Sequence, residues 1–216
     1  MVLDPVSGHA VSRPPLVTSD GVSLEVIIDH AQSATGSVVV CHPHPEHGGT
    51  MRHPMLVAIM REALERGIDV IRFNFRGVGG SEGRHGGGQA EILDIDAAVG
   101  LAHHSGAEPL GIVGWSFGAA TALVWQAEKG SDLSYVGIAP PVASPLTPPL
   151  PAPGSLAPAA RTFIIGDRDQ FVDADELVDY AASIAARVIR YETADHFFLM
   201  RHDRLAVDVL DAIGGS

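Results

Sequence analysis

Apolar and polar positions along the chain fall into blocks of two kinds. Residues 37–41 (Ser-Val-Val-Val-Cys) form a continuous apolar run without alternation, the pattern of a strand buried on both faces. Residues 162–165 repeat that pattern, and further strands are predicted at 70–75, 110–113, 135–139 and 187–191. Between them the apolar residues recur at helical spacing. Leu56, Ile59, Met60, Ala63 and Leu64 share one face of a helix that Pro54 can open and Gly67 can close. Ile92, Ile95, Val99 and Ala102 mark a helix over 89–103, and another is predicted over 119–127. Asp173-Ala174-Asp175-Glu176 reads as a capped start of a helix running to about 186, and Leu205, Val209 and Ile213 line a last helix from about 198 to 213.

Residues before Leu16 are turn-rich and predict no element. Asp20-Gly21 between segments 15–18 and 22–28 predicts an antiparallel hairpin. After it, strands and helices alternate to the end without an internal repeat. That order predicts an α/β fold: a mostly parallel central sheet with an N-terminal antiparallel hairpin and helices on both faces. One stretch breaks the rhythm: eight of the 15 prolines lie between Pro140 and Pro158, which excludes helix and inner strand and predicts a rigid loop or polyproline segment.

Composition narrows the picture. A length of 216 residues, 46% of them hydrophobic, suits one domain spanning 1–216. A net charge of −12 argues against nucleic acid or an anionic membrane as partner. Cys41 is the only cysteine, so no disulfide forms within the chain, as in a reducing compartment. The first fifteen residues lack a basic region followed by an apolar run, and no later stretch is long and apolar enough to span a bilayer. The expected location is cytoplasmic.

Candidate chemistry centres on Gly114-Trp115-Ser116-Phe117-Gly118, which sits between a predicted strand and a predicted helix. A Gly-X-Ser-X-Gly turn in that context presents the serine on a strained backbone, with glycines letting strand and helix pass closely. A serine hydroxyl becomes a nucleophile only when a base takes its proton and a third group orients that base. Of the 11 histidines, His196 follows the last strand at the carboxyl edge of the sheet, where Ser116 is also expected. His202 falls within the last helix, and His103 and His104 end an earlier one. For the acid, the loop after the penultimate strand offers Asp167 and Asp169. Asp167 is nearly still on the strand, whereas Asp169 lies far enough into the loop to turn back toward His196. Asp173 suits a helix cap, and Asp195 is the immediate neighbour of His196.

The order Ser116, Asp169, His196 resembles that of the α/β-hydrolase superfamily. The resemblance covers nearly the whole chain: the hairpin, the serine turn, Gly166-x-x-Asp169 and Asp195-His196-Phe197. More narrowly, His42-Pro43-His44-Pro45 with Gly48-Gly49, and the run from Arg72 to Gly79, are similar to small lidless hydrolases related to dienelactone hydrolases. Those enzymes use a cysteine nucleophile, so the serine here leaves their lactone substrate behind. The resemblance implies an α/β-hydrolase fold without a helical lid, the 140–158 loop forming a pocket wall instead. It also places an oxyanion hole: the backbone N–H of Phe117, after the nucleophile, and that of His44, since Pro43 and Pro45 have none to offer.

Two rival chemistries are weighed against this. His42, His44, His47 and Glu46 could form a metal site, but alternation in an extended segment puts His47 opposite His42 and His44, so no metal is expected. Gly77-x-Gly79 follows a strand, yet position 82 is Glu and 84–88 is still loop, so no dinucleotide cofactor is expected and Arg76 is read as the anchor of a structural loop. Cys41 is read as a small apolar filler. The expected function is a serine hydrolase cleaving small-molecule carboxylic esters of small or medium acyl groups through an acyl-enzyme. Thioester or amide cleavage, acyl transfer, and a non-catalytic binding role remain open, as does the oligomeric state. Trp115, Phe117, Phe197 and Phe198 are expected near an apolar pocket.

Overall fold

The apolar runs lie side by side because each needs neighbours for its backbone groups and cover for both faces. A computed structural model describes residues 2–3 and 9–214; positions 1, 4–8, 215 and 216 of the expected 1–216 domain lie outside the described residues. The strands are β1 (Val2–Leu3), β2 (Ala10–Ser12), β3 (Leu16–Val17), β4 (Ser23–Leu24), β5 (Val26–His30), β6 (Gly36–Cys41), β7 (Ile68–Phe73), β8 (Pro109–Trp115), β9 (Ser134–Ile138), β10 (Arg161–Gly166) and β11 (Arg187–Tyr191). Among the described residues nine of them form one sheet in the order β1-β2-β5-β7-β6-β8-β9-β10-β11. From β7 to β11 all neighbours are parallel, while β1, β2 and β5 add an antiparallel edge. The helices are α1 (Pro54–Glu65), α2 (Glu91–His104), α3 (Phe117–Lys129), α4 (Ala174–Ser183) and α5 (His202–Gly214). Helices cover both faces: α1 packs with α5, and α2 with α3.

Local chemistry explains the helix ends. His53 caps α1 by accepting the Met55 N–H, Pro54 opens it, and Gly67 follows its end at φ 73°. Asp173 caps α4 by accepting the Asp175 and Glu176 N–H groups. Ala185 at φ 53° turns the chain two residues after α4 ends at Ser183, short of the expected 186. The last helix starts at His202 rather than near 198, because Phe198 (φ 48°) and Met200 (φ 62°) are left-handed and cannot continue a helix.

Three further expectations are corrected. The start of the chain is not featureless, since β1 and β2 extend the sheet edge. The predicted hairpin is divided: β3 and β4 form a separate two-stranded sheet, and after Glu25 the chain enters the main sheet as β5, antiparallel to β7. Finally, β7 stops at Phe73 instead of 75. The Asn74 N–H still reaches Glu25 O, but the Ser81 hydroxyl takes the Glu25 N–H (2.9 Å) and donates to Asn74 O (2.6 Å), and the Phe75 N–H goes to His42 Nε2 (3.0 Å), which ends the ladder.

This topology sets the position of the site. From β6 the chain moves to β7 on one side, then crosses back over β6 to reach β8 on the other. β6 and β8 are therefore adjacent strands whose following segments diverge, and Cys41 stands in register with Gly114. Open α/β sheets bind ligands at such a switch point, outside the carboxyl ends of the strands.

Candidate active site

At the end of β8 the chain turns through Ser116, with φ 53° and ψ −115°, directly into α3. A non-glycine residue held there costs about 1–3 kcal/mol, which the surroundings must offset. The Ser116 N–H donates to Ile138 O (2.8 Å) and its carbonyl accepts the Ala120 N–H (3.0 Å). Both glycines are required by close approach: a Cβ on Gly114 would lie 2.5 Å from Ala119 Cα, and one on Gly118 would run into the His42 carbonyl oxygen.

His196 and Asp169 meet across the loops after β11 and β10. His196 Nδ1 donates to Asp169 Oδ2 (2.7 Å), and Asp169 Oδ1 accepts the N–H groups of Phe171 (2.8 Å) and Val172 (2.9 Å). The carboxylate is fully buried with both oxygens engaged. Because the carboxylate holds the proton on Nδ1, the neutral imidazole keeps Nε2 as an acceptor, the tautomer a general base needs. Trp115, Phe171 and Phe197 surround the ring. The other carboxylates are engaged elsewhere. Asp167 accepts from Arg190 Nε (2.9 Å), and Asp195 Oδ1 accepts the Phe197 N–H (3.1 Å). His202 begins α5 and bonds Phe197 O through Nε2, and His103 and His104 are exposed. Ser116 and His196 line the same cavity; among the described residues no hydrogen bond joins them. Such contacts often tighten only when substrate binds.

The loop after β6 is held at every turn. His42 Nδ1 donates to Pro43 O (2.6 Å) and Nε2 accepts the Phe75 N–H (3.0 Å), so neither nitrogen is free for a metal. His44 caps the 3-10 turn Pro45–His47, its Nδ1 accepting the Glu46 N–H (3.2 Å), and its carbonyl accepts the N–H groups of His47 and Gly49. Among the described residues the backbone N–H groups of His44 and Phe117 donate to no partner. Burial, then the neighbouring His47 and His85, push the His44 titration down. No metal-holding group of three His, Cys, Asp or Glu side chains occurs among the described residues. Arg76 is buried and donates to Asp94 (Nε, 2.9 Å; Nη2, 2.7 Å) and to Asp20 (Nη1, 2.8 Å), tying the glycine-rich loop to α2 and to the β3–β4 turn. Cys41 is buried, with its thiol titration pushed up by desolvation.

His42 gives a pH prediction. Protonating it would turn Nε2 into a donor facing the Phe75 N–H, and burial pushes its pKa down from 6.5 to about 4. Between those values the unfolded chain takes a proton that the folded chain refuses. The stability contributed at this site is therefore complete above pH 6.5 and is lost as the pH falls toward 4. In urea unfolding, the stability gap between wild type and His42→Phe should narrow by about 3 kcal/mol between pH 7 and pH 4; a constant gap would remove the assignment.

Beside Ser116 and His196 opens a cavity of about 290 Å³. One wall is the His44–Gly49 loop with His53, a second is Trp115, Phe171 and Phe197, and a third is Pro141, Leu146 and Thr147 of the proline-rich loop. Apart from a short 3-10 turn (Pro153–Ser155) that loop carries no helix. Phe117 and Phe198 are wholly buried and do not line the cavity. Sequence reasoning missed His53 and Phe171: the first reads only as a helix cap, while for the second the signal was its place two residues after Asp169.

Comparison with known proteins fits this architecture. Residues 32–163 match the sequence profile of the family described as serine aminopeptidase, S33. An uncharacterized protein of Rickettsia prowazekii (strain Madrid E) is 30% identical over 189 residues, 80% of this chain and 76% of that one. Among solved structures, an α/β serine hydrolase without lid from Xanthomonas campestris superposes with a TM-score of 0.80 at 26% identity, over 99% of this chain and 97% of its own. An α/β serine hydrolase homologue from Coxiella burnetii gives 0.79 at 26% identity, over 92% and 95%. The chain belongs to the S33 serine hydrolase family, within the α/β-hydrolase superfamily.

Proposed function

We propose that the protein hydrolyses uncharged small-molecule carboxylic esters through an acyl-enzyme formed on Ser116. The observation that carries this reading is the buried Asp169–His196 pair opening onto the same cavity as a serine on a strained turn. In the proposed cycle Ser116 Oγ attacks the ester carbonyl while His196 Nε2 takes its proton. The His44 and Phe117 N–H groups stabilise the oxyanion, and Asp169 stabilises the imidazolium. His196 then passes the proton to the leaving alcohol, and water releases the acid by the same steps.

The cavity lining favours esters over peptides with a free amino terminus. An α-ammonium group needs a carboxylate to replace its hydration. No Asp, Glu, Lys or Arg lines the cavity among the described residues. A substrate uncharged near the scissile bond fits such a wall, and the volume suits an acyl group of small or medium size. Labelling by a fluorophosphonate and a panel of p-nitrophenyl esters, thioesters and amino-acid anilides test the reading together. Labelling of Ser116 with ester turnover is the expected result. Labelling with turnover of thioesters or anilides alone would shift the substrate class, and absence of labelling would favour a non-catalytic binding role.

A further inference from the structure

The segment from Arg76 to Gly88 contains the glycine-rich loop, which the proposed reaction does not use. At its end stands Glu91, completely buried in the first turn of α2. A buried carboxylate persists only with strong hydrogen-bond donors. Glu91 has the Gly86 N–H (2.7 Å), the Gly88 N–H (2.8 Å) and His85 Nδ1 (2.7 Å). The ring that this carboxylate holds does not line the cavity. Its centroid lies 4.8 Å from the His44 ring and 5.2 Å from the Phe117 ring, and those two rings are themselves 5.2 Å apart.

His44 lies in the loop after β6 and Phe117 opens α3 after β8, and their N–H groups are the proposed oxyanion donors. We propose that His85, locked by Glu91, is a positioning residue whose ring, wedged against both His44 and Phe117, sets the spacing and angle of the oxyanion hole. The inference rests on the ester-hydrolase reading above. The loop itself has little room to carry the ring away. A Cβ on Gly77 would lie 3.2 Å from His85 N, Gly88 abuts Pro148 so closely that a Cβ would sit 2.5 Å from Pro148 Cδ, and Arg76 is fixed by Asp94 and Asp20. Oxyanion donors act only within a narrow range of distance from the developing charge. Misplacing them lowers the rate of the chemical step rather than binding in the ground state.

Two variants of the full chain separate the ring from its hydrogen bond. His85→Asn keeps an amide nitrogen near the position of Nδ1 but removes the ring; His85→Phe keeps a ring and removes the donor. The expected result for His85→Asn is a fall in kcat on p-nitrophenyl butyrate of about 10- to 100-fold with KM within about twofold, and a similar slowing of fluorophosphonate inactivation. His85→Phe should keep kcat within about threefold of wild type while its Tm falls, because Glu91 loses a donor. Wild-type kcat in His85→Asn, or a change in KM alone, overturns the proposal. If His85→Asn fails to fold, His85→Phe decides, and a loss of tenfold or more in its kcat overturns it. A wild-type protein neither active nor labelled removes the hydrolase reading and this inference with it. An active wild type matched by His85→Asn removes this inference alone.

Discussion

Ser116→Ala is expected to lower kcat on p-nitrophenyl butyrate by about 10⁵–10⁶-fold, with KM close to wild type and fluorophosphonate labelling abolished. The size follows from the proposed chemistry. Without the hydroxyl there is no acyl-enzyme, and only water delivered to a carbonyl polarised by the His44 and Phe117 N–H groups remains. The change removes one oxygen from a side chain that makes no hydrogen bond among the described residues, and alanine meets the same backbone strain at φ 53° as serine. Thermal unfolding should therefore be nearly unchanged, which separates loss of chemistry from loss of fold. Retention of full activity by Ser116→Ala would remove the mechanism outright.

The second large effect belongs to Asp169→Asn, for which a fall in kcat of about 10⁴-fold is expected. The carboxylate receives hydrogen bonds on both oxygens: two backbone N–H groups on Oδ1 and His196 Nδ1 on Oδ2. Asparagine has one acceptor oxygen, and the two N–H groups of Phe171 and Val172 claim it. The amide NH₂ then faces His196, forces Nδ1 to accept, and moves the ring proton to Nε2, where it blocks general-base action. Fold stability should change little, since Asp169 keeps its turn. Asp167→Asn is the control. Its carboxylate pairs with Arg190 on a half-exposed surface, so kcat should stay within about twofold of wild type. Equal losses in the two variants would remove Asp169 from the role proposed for it.

Much of this architecture is legible from residue order, for physical reasons that also mark where reading stops. A run such as Ser37 to Cys41 can be satisfied only by burial on both faces, so its identity as an inner strand leaves little choice. Ser116, Asp169 and His44 each follow such a run, and His196 follows the exposed edge strand β11, so their loops can be placed at one edge of the sheet without coordinates. What the sequence hides is whatever depends on partners distant in the chain. β1 and β2 are too short to show a period and exist because β5 offers them an edge. β7 ends where the His42 side chain takes the Phe75 N–H, a contact across 33 positions. The left-handed residues Phe198 and Met200 carry no glycine to announce them, and so the last helix begins four residues later than its apolar spacing suggests. The choice of Asp169 over Asp167 follows from its place further into the loop, whereas Glu91 and His85 give no signal at all until the loop before α2 closes over them.

The proline-rich stretch between β9 and β10 has a kinetic meaning as well as a structural one. Eight prolines fix their own backbone torsions, and the stretch supplies a wall instead of a hinged helical cover. The cavity mouth is thus set before substrate arrives, and no opening equilibrium taxes the encounter. For a protein built this way, turnover should depend on dissolved substrate from the first molecule, smoothly and without the jump in rate that a lidded lipase shows when its substrate gathers into droplets.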